Sequence, residues 1–558
     1  MELSQSGLVI GKPRFLDADL QKIAVAEGVL AAWKMAFELH GTNAPNLVAG
    51  DFAVAVRTAD DGVFMAVDRF ATRTLCYRNV GGRLLFAERA DELADSSMEI
   101  DNQAIFDYFY FHAIPSPLTI FKGVFRVPPG HYVLHKKGQL TVAPYWVPAF
   151  FEPEKVSFEA LRDEFRGGLQ RGVARQLDGG KAGAFLSGGT DSSTVAGMIG
   201  QVLTEPAATY SIGFEADGYD EMAFARIAAK HFNTKHHEYY VTPEDLVRSI
   251  PKVAASYDQP FGNSSALPAY YCAIMAKEDG VSRILAGDGG DELFGGNSRY
   301  AKQRVFDWYQ HIPNAIRSGV MEPLLGSSLA GNLPILRKAS SYVEQASVPM
   351  PDRLQMYNLI TRLGVEQALT AGFLGQVDIF SPLQHQRTVW AGAHTNNNTN
   401  RELAFDWRYT LAESDLPKVC GTTRLAGLEV GFPMLDDDLF NFALRLPIDY
   451  KLKGLKLRWF FKEALRGFLP DEILVKKKQG FGLPFGVWVT RNEPLRKLAT
   501  ESVHGLAERG VLRQDFAEVL LGKLVFEHPG YYGEMIWIAM MLEQWLRSKS
   551  PGYSVRGA

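Results

Sequence analysis

Cysteine is scarce in this chain: three in 558 residues, Cys76, Cys272 and Cys420, set far apart. That excludes a disulfide scaffold and a metal site built from four cysteines, and it fits a reducing compartment. Each is expected as a small buried apolar residue. A basic excess is missing too. Lys+Arg 59 stand against Asp+Glu 63, a net charge of −4, so nucleic acid is not the expected partner. No stretch approaches the roughly 18 unbroken apolar residues of a membrane span. The opening Met-Glu-Leu-Ser-Gln-Ser-Gly has no basic segment and no apolar run, so no secretory signal is expected. These absences together predict a cytoplasmic protein with neither membrane nor nucleic acid as partner. No internal repeat is visible. At this length the chain should hold more than one domain, each with a core of its own.

The richest stretch runs from Ala182 to Gly197, AGAFLSGGTDSSTVAG. It reads as a buried strand (Ala184, Phe185, Leu186), a tight polar loop, and a helix opening at Ser192. Two adjacent glycines, Gly188 and Gly189, let the backbone approach a ligand with no Cβ in the way. Amides at the start of the helix favour an anion. Ser187, Ser192 and Ser193 add hydroxyl donors, and Asp191 can hold a divalent cation against phosphate oxygens. The loop is a pyrophosphate cradle by chemistry. It lacks the Gly-Lys-Ser/Thr of a Walker loop and the three spaced glycines of a dinucleotide fingerprint.

A second loop follows the strand Arg283-Ile284-Leu285-Ala286. In Gly287-Asp288-Gly289-Gly290-Asp291-Glu292 three acids fall within five residues. Their mutual repulsion calls for a cation, and magnesium bound to ATP suits, with Asp191 and Asp291 approaching from two loops. Strands and helices alternate here: Phe158 to Gln176 helical, Ala208 to Phe214 a strand, Asp220 to Phe232 helical, Lys235 to Val241 a strand. That rhythm predicts a parallel sheet with ligands at the carboxyl ends of its strands. Ile212, Gly213 and Phe214 then share a rim with the Ser187 loop, and Ile212 is placed to lie against an adenine ring. His236 and His237 are adjacent, so they point to opposite faces of a strand and do not suit one metal ion.

The first 150 residues differ in character. Leu20 to Leu39 reads as one amphipathic helix. From Asp51, short apolar strands alternate with Gly- and Asp-containing turns, which predicts an antiparallel sheet. A helix over Asn102 to Phe111 and two strands around Pro128-Pro129-Gly130 follow. Farther on, Thr395 to Asn400, TNNNTN, reads as an exposed loop. Lys476 and Lys477, in VKKKQGFG, read as a solvated charge run. Ile538, Met541, Leu542 and Trp545 have the spacing of a core-facing helix.

SGGTDSS resembles the PP-loop of the ATP pyrophosphatases, and the whole chain resembles the asparagine synthase family. The resemblance rests on the Ser187 loop; on Gly287 to Gly296; on Asp415-Leu416-Pro417-Lys418 with Leu428-Glu429 and Phe432 to Asp436; and on the Lys478-Gln479-Gly480-Phe481 loop. In the first part it rests on Gly50-Asp51-Phe52-Ala53, Asp68-Arg69-Phe70, Leu85-Phe86-Ala87 and Pro129-Gly130-His131. It implies an α/β protein: residues 1–150 as an N-terminal Ntn-hydrolase-like antiparallel β-rich domain, and residues 155–558 as a larger adenine-nucleotide α-hydrolase-like (PP-loop) domain with a parallel sheet and many helices. The implied chemistry is adenylation of a carboxylate by MgATP, with release of pyrophosphate, then attack of an amine on the acyl-AMP. ATP and pyrophosphate would be held by Phe185, Leu186, Ser187, Gly188, Gly189, Asp191, Ser192, Ser193, Ile212, Gly213, Ala286 and Gly287. Asp191 and Asp291 would hold Mg²⁺. Lys478 would offset negative charge, and Asp288 would orient or deprotonate the amine.

The chain departs from the family pattern in several places. Glu2 stands where the glutaminase cysteine belongs, the Asn-Gly-Glu glutamine segment is missing, and the stretch before Gly50 looks too short for the missing sheet. Residues 1–150 are therefore expected to keep a glutaminase-like fold without that activity; an unrelated β-rich domain stays open. Gln259 replaces an acid, Asp288 a glutamate, Asn297 a tyrosine and Gly431 an arginine. Three functions remain open: a lactam or macrolactam cyclase such as a lasso-peptide cyclase, taking its amine from a small-molecule or peptide substrate; an asparagine synthetase-like enzyme using ammonia; and an inactive scaffold. A partner protein delivering substrate or ammonia is compatible with the first two.

Overall fold

The computed structural model describes residues 7–58, 62–95, 98–152, 156–216, 218–310, 342–476 and 482–555. The N-terminal sheet is antiparallel throughout. Its order is Gly7–Gly11, Phe52–Arg57, Val63–Val67, His131–Lys136 and Gln139–Pro144. Period-2 alternation sends Phe52, Val54, Val56 and Phe64 to one face, against Trp33 and Ala36. Ala53, Ala55, Met65 and Val67 go to the other, against Tyr77, Leu84 and Phe86. Both faces are covered, which is why these strands are apolar at nearly every position.

Two expectations for this region need correction. The segment before Gly50 does contribute to the sheet, since Gly7–Gly11 forms its edge and pairs with Phe52–Arg57. The helix expected over Leu20 to Leu39 is two, Ala18–Ala26 and Val29–His40. Gly28 breaks it with a left-handed φ of 99°. The apolar spacing carries across the break, so periodicity alone reads through it.

The helix Asn102–Phe111 turns away from this sheet. Ala104, Ile105, Phe106, Tyr108 and Phe109 join one continuous apolar core with Trp537, Ile538 and Trp545 of the helix Pro529–Lys549. Tyr108 Oη donates to the Ile538 carbonyl at 2.9 Å.

The larger sheet is all-parallel, in the order Lys235–Val241, Ala208–Phe214, Ala182–Phe185, Arg283–Leu285 and Glu429–Gly431. Ala182–Phe185 lies centrally with Arg283–Leu285 beside it, so the loops leaving these two strands emerge side by side. Residues 395–400 are not the exposed loop their composition suggests. Asn397 caps a helix, Asn398–Asp406, and Thr399 and Asn400 are buried. Asparagine is a strong N-cap, and a polar run there marks a helix start. Among the described residues, no helix is long and apolar enough to cross a membrane.

The helix Phe485–Arg491 crosses Pro529–Lys549 at a glycine pair. A Cβ on Gly533 would lie 2.5 Å from Gly486 Cα, and backbone cannot yield as a flexible side chain does. Gly533→Ala is expected to destabilise the protein by about 1–3 kcal/mol. Gly522→Ala, where a Cβ meets nothing within 4 Å, should be near-neutral. Thermal unfolding of the two variants checks the contrast.

Candidate nucleotide and acyl-transfer site

The strand Ala182–Phe185 ends where its neighbour holds it: Leu186 N donates to the Tyr210 carbonyl at 2.9 Å, and Ser211 Oγ donates to the Leu186 carbonyl. Gly188 then takes a left-handed φ of 67°, and a Cβ there would overlap Phe224 and Ala225. Gly189 caps the helix Thr190–Leu203, which opens two residues earlier than expected. Asp191 thus sits in its first turn, where the dipole favours a carboxylate. Ser192 Oγ accepts from Ser187 N and lies 3.1 Å from Ser187 Oγ. Ser193 Oγ is buried and, among the described residues, has no hydrogen-bond partner. A buried hydroxyl beside this loop fits a phosphate oxygen as its acceptor.

The second loop closes directly on the first. A Cβ on Gly287 would come within 2.8 Å of Ser192 N, and one on Gly290 would overlap the Asp191 carboxylate. The glycines of this loop are what let the two turns approach. Asp191 and Asp291 then meet at a single guanidinium. Arg458 Nη1 lies 2.7 Å from Asp191 Oδ2, 2.7 Å from Asp291 Oδ1 and 3.0 Å from Thr190 Oγ1, and Nη2 pairs with Asp191 Oδ1. Arg458 is 4 % exposed, sits 3.8 Å over the Phe461 ring and takes a left-handed φ of 52°. That backbone state costs a non-glycine residue free energy, and residues held in it cluster at functional sites. Burial pushes the guanidinium pKa down, but the two carboxylates more than offset this and hold it above its ordinary value.

Two carboxylates aimed at one cationic point also fit magnesium held jointly with phosphate oxygens. Among the described residues no third His, Cys, Asp or Glu joins them into a closed metal site, which suits an ion that takes most of its ligands from substrate and water.

Asp288 lies beside this pair but faces another way. Lys418 Nζ bridges Asp288 Oδ1 at 3.2 Å and Asp415 Oδ1 at 3.1 Å. Burial raises the Asp288 carboxyl, and the Lys418 ammonium works against that rise. Gln259, in the acid's place, donates from Nε2 to the Ile114 carbonyl at 3.2 Å, and its buried Oε1 has no partner among the described residues. Gly431 has no room for the family's arginine. A Cβ there would meet Gln176 Oε1 at 2.6 Å and Arg283 Nε at 3.1 Å. The buried Arg283, from the neighbouring strand, already places a guanidinium there.

The remaining expected residues divide. Phe185, Leu186, Ala286 and Gly287 line the adjacent strand ends, and Ala286 N donates to the Gly431 carbonyl at 2.9 Å. Ile212 and Gly213 lie one strand over, buried, with Gly213 packed on the Tyr240 ring. Lys478 and Lys477 fall outside the described residues. Lys476, expected in solvent, is instead folded against the loop. It pairs with Glu221 at 2.9 Å, reaches toward the Gly188 carbonyl at 3.4 Å and covers the Phe224 ring. His236 and His237 are spoken for elsewhere, by Thr209 and Glu238 and by Tyr210 and Asp279.

Sequence reasoning missed Arg458 and the role of Lys418. Arg458 sits in LKLRWFFKEAL, where nothing distinguishes it from surface cations. The one available signal was a basic residue placed directly before the aromatic run Trp459-Phe460-Phe461.

Comparison with known families agrees with this geometry. A glutamine amidotransferase domain matches residues 26–146. The chain is 26 % identical over 469 residues to an asparagine synthetase (glutamine-hydrolyzing) of Bacillus subtilis, covering 82 % of this chain and 72 % of the relative. It is 30 % identical over 274 residues to a putative asparagine synthetase of Methanocaldococcus jannaschii, 46 % and 51 % of the two chains. An amidase of Penicillium rubens, chyE, is 22 % identical over 520 residues, 81 % and 72 %. The asparagine synthase model matches residues 164–547, the stretch that carries the Ser187 and Gly287 loops, Lys418 and Arg458, and the chain belongs to the asparagine synthase family.

Proposed function

We propose that this protein activates a substrate carboxylate with ATP, releasing pyrophosphate and leaving an acyl-adenylate, and joins it to an amine carried by the same substrate. The observation that carries the first half is the meeting of Asp191, Asp291 and Arg458 at the N-terminus of the helix that follows the Ser187 loop. The amides that open the helix Thr190–Leu203 and the hydroxyls of Ser187, Ser192 and Ser193 bind the departing pyrophosphate. Arg458 neutralises charge that builds on it, a task for a preorganised cation in a dry site. Magnesium, held by Asp191 and Asp291, would supply further neutralisation of the phosphates. Asp288, positioned by Lys418, accepts a hydrogen bond from the incoming amine and takes its proton.

Support for a substrate-borne amine comes from the cysteines. Cys76 and Cys420 have thiols that burial pushes up to about 12, and burial raises Cys272 as well. None offers a thiolate at neutral pH to release ammonia from glutamine. The amidotransferase match over residues 26–146 favours a second reading, in which ammonia reaches the acyl-adenylate.

ATP–pyrophosphate exchange, screened over aspartate, amino-diacids and peptides bearing both a carboxylate and a free amine, tests the proposal. Exchange is expected with bifunctional substrates, followed by AMP and a product lighter by one water. Efficient AMP formation from aspartate and ammonium would replace the first reading by the second. No exchange with any carboxylate would sink both.

A further inference from the structure

The polar run at 394–400 builds a second site. A cavity of about 500 Å³ is lined by Phe150, Glu152, His394, Thr395, Asn396, Asn397 and Asn400. It opens at the N-terminus of the helix Asn398–Asp406, where the Asn397 side chain caps the Asn400 amide at 3.1 Å and the helix dipole favours an anion. Asn400 is 3 % exposed. Its Oδ1 accepts from Lys451 Nζ at 3.0 Å, which turns its Nδ2 away from the lysine. Among the described residues Nδ2 has no acceptor. Behind it Lys451 is 1 % exposed, lies 4.8 Å over the Phe150 ring and has no carboxylate within ion-pairing distance among the described residues. The one charge that acts on it is that of Glu152, beyond ion-pairing distance, so the cost of burying the ammonium is only partly offset, and a donor polarised by it is aimed at an open cavity.

We propose that this cavity binds a carboxylate, held by Asn400 Nδ2 and the helix N-terminus and balanced by the charge of Lys451. The carboxylate belongs either to a small free acid or to a remote acidic group of the substrate. Glu152 is exposed at the mouth, where its Oε1 accepts from Ile448 N at 3.0 Å. It disfavours an anion at the rim but not at depth. Binding is linked to protonation. Burial pushes the Lys451 ammonium down to about 7, and an anion would draw it back up, so affinity should fall as pH rises from 6.5 to 8.5. The other charged groups close by are Glu152, His394 on the cavity wall, and the Arg304–Asp449 pair beside Lys451 in the chain.

Isothermal titration of the full chain with succinate, with succinamide as neutral isostere and with an end-capped aspartyl peptide checks this without reference to catalysis. Succinate or the peptide is expected to bind at millimolar concentration or better, with proton uptake, and succinamide not to bind. Binding of succinate alone assigns a free acid; binding of the peptide alone assigns a substrate group. Lys451→Met, which keeps the apolar stem, and Asn400→Asp, which pairs with Lys451 in place of the ligand, should each weaken binding at least roughly tenfold. Thermal unfolding of these variants serves as the check on folding. Equal binding of succinamide, unchanged binding in both variants, or no binding of either acid overturns the proposal, whatever reaction the nucleotide site performs.

Discussion

Arg458→Met is expected to lower carboxylate-dependent ATP–pyrophosphate exchange by about 10²–10³-fold, the usual loss when one preorganised charge-stabilising donor leaves an active site. The side chain is buried between Asp191 and Asp291, and water cannot take its place without solvating both acids. Removing one partner of a buried ion pair also costs roughly 3–5 kcal/mol of stability. Folding and chemistry must therefore be read separately. Asp291→Asn combined with Arg458→Met removes one of the two facing negative charges and should recover part of the melting temperature without recovering exchange. Arg458→Lys should recover part of the exchange, since one ammonium cannot present the two-pronged face that meets both Asp191 oxygens. Exchange near the wild-type rate in a folded Met variant would remove Arg458 from the mechanism.

Lys418→Met should separate the two halves of the reaction. Lys418 touches Asp288 and Asp415 and, among the described residues, none of those proposed to bind pyrophosphate. Exchange should survive within about threefold, while amide formation falls by about 10²-fold, the typical worth of a positioned acid–base group. The pH profile carries the sign. Burial already raises the Asp288 carboxyl, and the Lys418 ammonium is the main influence holding it down. Without that cation Asp288 stays protonated to higher pH. The rising limb of the amide-forming rate should then move to the alkaline side, and Lys418→Arg should move it back. A profile that falls in height without shifting would assign Lys418 a packing role only.

The meeting of the Ser187 and Gly287 loops was legible because the residues that shape each loop are local. Glycines at 188, 189, 287 and 290, hydroxyls at 187, 192 and 193, and acids at 191 and 291 lie within short stretches, and each answers to a steric or electrostatic need visible in one dimension. The parallel sheet was legible because buried strands between helices leave apolar runs at regular intervals. What could not be read was pairing across distance. Arg458 lies 267 positions from Asp191 and 167 from Asp291, and no periodicity links them. Lys476 looked like one of three solvated cations until the fold brought Glu221 and Phe224 beside it. The asparagines at 396–400 were misjudged for a related reason: composition registers polarity, whereas capping geometry depends on which backbone amides need a partner.

The aromatic side chains of Asn102–Phe111 sit inside the same apolar mass as the long C-terminal helix. Whatever reaction the first 150 residues perform or have given up, they are a structural wall of the other half. A fragment starting near residue 155 would bare the surface that Phe106, Tyr108 and Phe109 now cover, and it should clump rather than fold as a lean catalyst. Such a region can lose its own chemistry under selection and still not be shed, because the volume it fills is needed even if its reactivity is not.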